Sequence, residues 1–312
     1  MIATITLNPS LDEWVSLPTL RLGRLNRASA VARYPGGKGI NVSRVIHELG
    51  GSTVAFGLAG GEDGLILRER LNRLGLRHAL LEVAGSTRNN YKIRTESPRA
   101  LTELNTAGPR VFASSLRALF RRLIRSRPSC VALSGSLPPG APAAIYRDWI
   151  RALRRAGIST ALDASEAALR HGMAAGPWLV KPNREEAAAL LGCAITTRRG
   201  AIHAAQELVR RGASVVVLSL GRDGALLAAA GAGDTPVWHG QAPPVHADSA
   251  VGAGDSLVGG LLATWVKTRD LPAAFRMGVA CGAATAMTPG TELCHRDHVT
   301  RLLPRVTVRR VA

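Results

Sequence analysis

The 312-residue sequence has few lysines, few aromatic residues and no long apolar run. Only four of its 40 basic residues are lysines, and with 22 acidic residues the formal net charge is +18. Aromatic residues make up 4% of the chain and form no ladder among the basic ones, which argues against a surface for single-stranded nucleic acid. The longest apolar stretch, Ser256 to Val266, is too short to span a bilayer. We therefore expect neither a membrane protein nor a specific nucleic-acid binder.

Cysteine is also scarce, and no C-x-x-C pair is present. The four cysteines are Cys130, Cys193, Cys281 and Cys294. Scattered cysteines of this kind are typical of reduced thiols in a cytoplasmic protein. The first eight residues have the pattern of a strand. They lack the basic segment and the cleavage site of a signal peptide, so we expect none here.

The excess positive charge is almost entirely arginine at helix-surface spacing. Arg117, Arg121 and Arg125, for example, alternate with the apolar residues Leu116 and Leu119. Such a pattern indicates a solvated helix face opposite a core stripe. The resulting field favours phosphorylated ligands.

Helix and strand patterns alternate from about residue 112 onward, which predicts a mostly parallel sheet covered by helices on both faces. The first 110 residues contain several strand patterns and one clear helix, Asn41–Leu49. Segments 12–34 and 87–106 have no helix to cover them, so we interpret them as a small β-sheet lid within a single 1–312 domain. Lids exclude water from a reacting site.

One glycine-rich motif, Ser249-Ala-Val-Gly-Ala-Gly-Asp-Ser, precedes a predicted helix, Ser256–Thr268. Amides at the positive end of a helix form a site for a phosphoryl group. Asp255, in the first turn, would stand beside that group as a base, and the helix dipole should keep it ionised. The same aspartate could instead only stabilise the helix start. Neither a Walker A loop nor a dinucleotide fingerprint fits, because Gly39 and Leu257 stand at required positions.

A second motif, Pro35-Gly-Gly-Lys-Gly-Ile-Asn41, leads into the helix Asn41–Leu49. Its glycines let backbone amides approach a small polar ligand closely. Lys38 and Asn41 can donate hydrogen bonds to hydroxyl or phosphate oxygens. A plain glycine turn explains the same residues.

Two further motifs follow buried strands. In Val180-Lys-Pro-Asn-Arg-Glu186, Asn183 and Glu186 could hold Mg²⁺ through water, or they could form a capping box at a helix start. The turn Ser219-Leu-Gly-Arg-Asp-Gly224 by itself indicates only a hairpin.

Together and in this order, these motifs resemble the ribokinase-like carbohydrate kinases of the PfkB type. The match extends from Thr6-Leu-Asn-Pro-Ser-Leu-Asp12 to Pro289-Gly-Thr-Glu-Leu-Cys294. The resemblance implies a three-layer αβα fold, an ATP-dependent sugar kinase, Mg²⁺ bound with ATP, and a homodimer formed through the lid. It implies that Asp255 is the catalytic base and that the amides of Gly252, Ala253 and Gly254 form an anion hole.

The resemblance also implies the remaining site residues. The sugar would be bound by Asp12, Gly37, Lys38, Asn41, Arg88 and Ser136; ATP by Lys181, Asn183, Ser219, Gly221 and Gly224; Mg²⁺ by Asn183 and Glu186 through water; and a monovalent cation such as K⁺ by Ser249, Val251, Thr288 and Gly290.

The stretches Thr87-Arg-Asn-Asn90 and Ser134-Gly-Ser-Leu-Pro-Pro-Gly140 look like the hexose-phosphate branch, in which an arginine such as Arg88 grips the existing phosphate. The run from Glu166 to Arg184 looks like the 1-phosphofructokinases, whereas Gly290-Thr-Glu-Leu-Cys294 leans toward the minor 6-phosphofructokinases. We expect fructose 1-phosphate as substrate. Fructose 6-phosphate and tagatose 6-phosphate are alternatives, as is an inactive sugar-phosphate sensor.

Overall fold

All 312 residues are described by a computed structural model, in which the chain forms 14 strands and ten helices. The strands are β1 (Ile2–Thr6), β2 (Ser10–Leu17), β3 (Ala30–Gly36), β4 (Thr53–Ala59), β5 (His78–Glu82), β6 (Arg88–Glu96), β7 (Arg99–Asn105), β8 (Cys130–Ser134), β9 (Ser159–Asp163), β10 (Leu179–Val180), β11 (Val215–Ser219), β12 (Ala225–Ala229), β13 (Val237–Gln241) and β14 (Thr307–Arg310). The helices are α1 (Lys38–Glu48), α2 (Gly61–Arg73), α3 (Ala113–Arg125), α4 (Ile145–Arg155), α5 (Glu166–Met173), α6 (Arg184–Leu191), α7 (Arg198–Arg210), α8 (Ala253–Thr268), α9 (Leu271–Ala286) and α10 (Arg296–Leu302).

The large sheet contains ten strands in the order β14-β13-β12-β11-β10-β9-β8-β1-β4-β5. Neighbours from β11 to β5 are parallel, while β12, β13 and β14 extend the sheet as antiparallel strands. Successive side chains of a strand face opposite sides, so Ile5 joins one hydrophobic cluster with α3 and α4, and Ile2 joins another with α8 and α9. The predicted three-layer fold with a mostly parallel sheet is therefore confirmed.

A separate four-stranded sheet has the order β3-β2-β6-β7. The β2–β3 and β6–β7 pairs are antiparallel and the β2–β6 pair is parallel. Because register pairs Asp12 with Asn90 and Asn90 with Asn105, these three polar side chains share one face, which we call the inner face. The outer face carries Val31 and Leu104, both of which are exposed. This small sheet is built from the two segments without helical cover, 12–34 and 87–106.

Two long helices were not expected from the sequence. Helix α9 lacks an amphipathic pattern because it is buried against α8 through small residues. A Cβ at Gly278, for example, would lie 2.6 Å from the Leu257 carbonyl oxygen. Helix α2 lies within the first 110 residues, where the sequence predicted only one helix. That predicted helix is α1, which begins at Lys38, three residues before the predicted start at Asn41.

Candidate active site

The main polar cavity lies between the carboxyl ends of the parallel strands and the inner face of the small sheet, and it measures about 570 Å³. It brings together many of the residues singled out in the sequence. Those that line it are Asp12, Gly37, Lys38, Asn41, Arg88, Ser136, Lys181, Val251, Gly252, Gly254 and Asp255. Outside its wall lie Ala253, Asn183, Glu186, Ser219, Gly221, Gly224, Ser249, Thr288 and Gly290.

Helix α8 points its amino terminus into this cavity. Gly252 precedes it in a left-handed conformation with φ of 79°, and a Cβ there would lie 2.7 Å from Cδ2 of Leu293. The amides of Gly252 and Gly254 have no backbone acceptor, whereas the amide of Ala253 already donates to the Ala250 carbonyl at 3.3 Å. The first two are therefore free to bind an anion at the positive end of the helix.

Asp255 is buried in the first turn of α8, and Nδ2 of Asn41 donates a 2.8 Å hydrogen bond to its Oδ2. Burial, followed by repulsion from Asp163, raises the pKa of Asp255 to about 6. A pKa of about 6 still leaves the group mostly ionised at neutral pH, although the helix dipole alone would have lowered the pKa. The dipole acts on a group that has lost its water and faces a second carboxylate. Asp255 is consequently a better base than an exposed aspartate.

Asp163, at the end of β9, is a buried carboxylate that the sequence interpretation missed. Lys38 Nζ donates to its Oδ1 at 2.9 Å, and Lys181 Nζ lies 3.5 Å from its Oδ2. Burial alone would raise the pKa of Asp163, but Lys181 and Lys38 outweigh burial and lower it. In turn Asp163 and Asp255 raise the pKa of Lys38 although burial lowers it. The available signal was an aspartate directly after a predicted buried strand, where ligands bind in parallel sheets.

Asp12 is oriented by the small sheet. Ser10 Oγ donates to its Oδ1 at 2.8 Å and Asn90 Nδ2 donates to the same oxygen at 3.3 Å. A Cβ at Gly36 would lie 2.5 Å from that oxygen, so the strand opposite must carry glycine here. The second carboxylate oxygen of Asp12 is available to accept hydrogen bonds from hydroxyl groups in the cavity.

Arg88 stands at the edge of the cavity with no carboxylate within 4 Å. Its guanidinium donates to the carbonyls of Asn8 at 3.1 Å and Thr106 at 3.3 Å, and to Ser136 Oγ at 3.4 Å. Its Nε has no partner. Burial lowers the pKa of Arg88, with Asp12 acting in the opposite direction. An adjoining cavity of about 590 Å³ is lined by the same Arg88 and Ser136, so Arg88 lies at the boundary between the two cavities.

Asn183 and Glu186 form the capping box that was one of the two interpretations of their spacing. Asn183 Oδ1 accepts from the Glu186 amide at 2.7 Å, and Glu186 Oε2 accepts from the Asn183 amide at 2.8 Å. Glu186 Oε1 has no such bond. A bridge between Asn183 and Ser219 places this helix start beside the turn that ends β11.

That turn is a short 3₁₀ segment, Gly221–Asp223, and β12 pairs antiparallel with β11 after it, as the hairpin interpretation expects. Gly221 and Gly224 both have positive φ, of 65° and 80°. A Cβ at Gly224 would lie 2.1 Å from the Gly240 carbonyl oxygen. Because the Ser219 amide also donates to the Pro182 carbonyl at 3.1 Å and Lys181 lines the cavity, segments 181–186 and 219–224 form one continuous edge beside it.

The residues proposed for a monovalent cation lie in two adjacent loops. The Ser249 amide donates to the Ala286 carbonyl at 3.4 Å, and Thr288 Oγ1 donates to the carbonyls of Thr285 at 2.7 Å and Glu292 at 2.9 Å. Gly290 has a positive φ of 64°. The chain has no group of three or more His, Cys, Asp or Glu side chains arranged to hold a metal ion. None of its helices combines the length and apolar character needed to cross a membrane.

Comparison with known proteins agrees with this geometry. The sequence model of the pfkB family carbohydrate kinases matches residues 6–297. The chain is 37% identical to 1-phosphofructokinase of Bacillus subtilis over 312 residues, which cover 100% of both chains. It is 35% identical to ATP-dependent 6-phosphofructokinase isozyme 2 of Mycobacterium tuberculosis, covering 96% of this chain and 88% of the relative.

Among solved structures, phosphofructokinase-2 from Escherichia coli in complex with substrates and products superposes with a TM-score of 0.91 at 34% identity, covering 97% of this chain and 98% of that one. The full-length match in sequence and the agreement in fold lead to one conclusion. The chain belongs to the pfkB family of carbohydrate kinases.

Proposed function

We propose that the protein transfers the γ-phosphoryl group of ATP to the 6-hydroxyl of fructose 1-phosphate. The observation that carries this proposal is Arg88, a partly buried guanidinium without a carboxylate partner, in the same cavity as Asp255. An unpaired guanidinium at one end suits the phosphate that the sugar already bears. The carboxylate at the other end suits the hydroxyl that reacts.

The reaction then follows from the residues around α8. Asp255 accepts the proton of the attacking hydroxyl while the oxygen forms its bond to the γ-phosphorus and the bond to the ADP oxygen breaks. The amides of Gly252 and Gly254 stabilise the charge on the transferring group. Lys38, held by Asp163, supplies a fixed positive charge beside the same group. Asp12 orients the sugar by accepting from its hydroxyls.

Fructose 1-phosphate is favoured because the relative from Bacillus subtilis, which matches over its whole length, is a 1-phosphofructokinase. Fructose 6-phosphate is the second candidate, since a 6-phosphofructokinase isozyme is 35% identical. An inactive sugar-phosphate sensor would not need a carboxylate such as Asp255 beside the free amides of Gly252 and Gly254, which argues for an enzyme.

A substrate screen tests this assignment. We expect kcat/KM to be highest for fructose 1-phosphate, lower for fructose 6-phosphate and tagatose 6-phosphate, and lowest for free fructose. An ATP-coupled assay that follows ADP release measures all four sugars under one set of conditions. A preference for fructose 6-phosphate would overturn the choice of sugar alone, whereas an absence of turnover with every sugar would favour the sensor.

The edge formed by residues 181–186 and 219–224 is where we place ATP, with Lys181, Asn183, Ser219, Gly221 and Gly224 around it. Mg²⁺ would neutralise the ATP phosphates, and Glu186 fits it through water because Oε1 remains free beside the capping box. We place K⁺ at the two adjacent loops that carry Ser249, Val251, Thr288 and Gly290. The four unpaired cysteines support a reducing, cytoplasmic compartment.

Exchanging Glu186 for Gln tests the Mg²⁺ assignment. Glu186→Gln should raise the Mg²⁺ concentration needed for half-maximal activity about threefold or more, because the one amide oxygen stays in the capping box and an NH2 group, which accepts nothing from the waters of Mg²⁺, replaces Oε1. The Tm should change little, since Gln serves the capping box as well as Glu. The matched control is Glu185→Gln, one residue earlier in the same helix. Superimposable Mg²⁺ titrations of the two variants would leave Glu186 with the capping role only.

We also propose a homodimer formed through the outer face of the small sheet. Register pairs Val15 with Val31 and Tyr91 with Leu104 on that face, and the latter three are exposed. An apolar sheet face without cover is a site for association with a second copy. The same contact would hold the small sheet over the cavity.

A further inference from the structure

A second cavity, of about 400 Å³, lies between β3, α1, α2 and residues 292–295. No residue lines both this cavity and the active-site cavity. Four arginines from three different elements converge on it. We call it the arginine cavity, after Arg33 of β3, Arg44 of α1, and Arg70 and Arg73 of α2.

Two of these arginines already have acidic partners, and two do not. Arg33 pairs with Glu13, and Arg73 pairs with Glu69. Arg44 and Arg70 have no carboxylate within 4 Å. Arg44 donates to the Pro35 carbonyl at 3.4 Å, and Arg70 donates to the Arg33 carbonyl at 2.6 Å. The Nε of Arg70 is buried and has no partner at all.

Two acidic residues also line the cavity, but neither lies within 4 Å of its arginines. Glu48 accepts a 2.8 Å hydrogen bond from the Arg296 amide, and Glu292 lies 3.6 Å from His295. Burial lowers the pKa of Arg44 even though Asp12 and Glu292 act to raise it. A desolvated guanidinium without an ion pair is unfavourable, and a doubly charged oxyanion with several acceptors would compensate it.

We propose that the arginine cavity is a binding site for a phosphate group, either free phosphate or a small phosphate monoester, held by Arg44 and Arg70. Arg73 and the ring of His47 lie at the same wall and can contribute further donors. The site is separate from the one that binds the substrate phosphate at Arg88.

Occupancy of this site has a direct route to the reacting centre. Arg44 Nη1 donates to Asn41 Oδ1 at 3.3 Å, and Nδ2 of the same Asn41 donates to Asp255 at 2.8 Å. An anion that draws the guanidinium of Arg44 into the cavity removes the bond that orients the amide of Asn41. The hydrogen bond to Asp255 then weakens, and kcat falls. This second step rests on the proposed role of Asp255, whereas binding itself does not.

Thermal unfolding with increasing inorganic phosphate, at constant ionic strength, tests the site without any assay of activity. Arg70→Met should weaken the phosphate-dependent rise in Tm, corresponding to an affinity loss of about tenfold or more. The matched control is Arg68→Met, because Arg68 lies on the same helix and also donates to a backbone carbonyl at 2.6 Å, but lies outside the cavity. In Arg88→Ala the phosphate-dependent rise in Tm should still be weakened when Arg70→Met is added. Equal responses of Arg70→Met and Arg68→Met would overturn the proposal.

Two further arms sharpen the result. Arg73→Met, at the exposed rim, should reduce phosphate affinity by a smaller factor and provides the test if Arg70→Met folds poorly. Glycerol 3-phosphate in place of phosphate distinguishes the sources, since tighter binding than that of phosphate identifies a monoester and weaker binding identifies free phosphate. At saturating sugar and ATP, phosphate should lower kcat in Arg68→Met but not in Arg70→Met. An equal fall in both would contradict the coupling through Arg44.

Discussion

Replacing Asp255 with Asn is expected to lower kcat by about a hundredfold or more, with KM for the sugar and for ATP nearly unchanged. The amide cannot take the proton of the attacking hydroxyl, and that interaction belongs to the transition state. Asn retains an oxygen that can accept from Asn41 Nδ2, so the side chain should keep its place. Steady-state kinetics on the purified variant measure the effect. Near-normal turnover would remove Asp255 from the mechanism.

The pH dependence gives an independent check on the same group. Asp255 must be ionised to act as a base, and its pKa is raised to about 6, so activity should decline as the pH falls through about 6. An unperturbed aspartate would place that decline about two units lower. The residual activity of Asp255→Asn should lack this limb. Asp148→Asn, an exposed aspartate on α4, should keep the limb of the parent protein.

Stability should move in the opposite direction to activity. A carboxyl group whose pKa is raised by folding binds more protons in the folded state, so stability falls as the pH rises through the interval between the unfolded and folded pKa values. At neutral pH the buried, ionised Asp255 therefore destabilises the fold. Asp255→Asn is expected to unfold at a Tm equal to or above that of the parent protein, which separates loss of chemistry from loss of structure.

The parts of the site that the sequence predicted are those carried by contiguous motifs. Gly252, Gly254 and Asp255 follow one another, and backbone geometry alone places them at a helix start. Asp163 could not be identified with the same ease, because its role depends on Lys38 and Lys181, which come from distant parts of the chain. The raised pKa of Asp255 depends on its burial and on that same assembly, neither of which enters a local argument from the helix dipole.

The fold shows the same division between local and distant information. The alternation of helix and strand patterns predicted the parallel sheet correctly. The sequence of an amphipathic helix such as α3 shows by itself which side of the helix is buried. Helix α9 is covered on most sides and packs through glycine and alanine, so its sequence does not separate an apolar face from a polar one. The small sheet could be predicted because its two segments have no helix to cover them. The arginine cavity could not be predicted from any one stretch of sequence, because its arginines are contributed by β3, α1 and α2.

Arg88→Ala is expected to reduce the preference for a phosphorylated over a free sugar by about a hundredfold in kcat/KM, roughly 3 kcal/mol. In the parent protein a free sugar leaves the guanidinium desolvated and without an anion, and this penalty is absent once the guanidinium is removed. The loss should fall on fructose 1-phosphate, while kcat/KM for free fructose stays the same or rises slightly. The KM for ATP should be nearly unchanged, since Arg88 lies on the small sheet, away from the edge assigned to the nucleotide.

A second arginine on the same strand and face supplies the control for this experiment. Arg94 is already paired with Asp248 at 2.8 Å, so its positive charge is neutralised and is not available to a substrate phosphate. Arg94→Ala should therefore lower kcat/KM for fructose 1-phosphate and for free fructose by similar factors and leave their ratio unchanged. If Arg88→Ala also leaves the ratio unchanged, the substrate phosphate binds elsewhere in the cavity. If only Arg94→Ala lowers the ratio of kcat/KM for fructose 1-phosphate to that for free fructose, the phosphate lies at the opposite end of the small sheet. The proposed orientation of the sugar is then reversed.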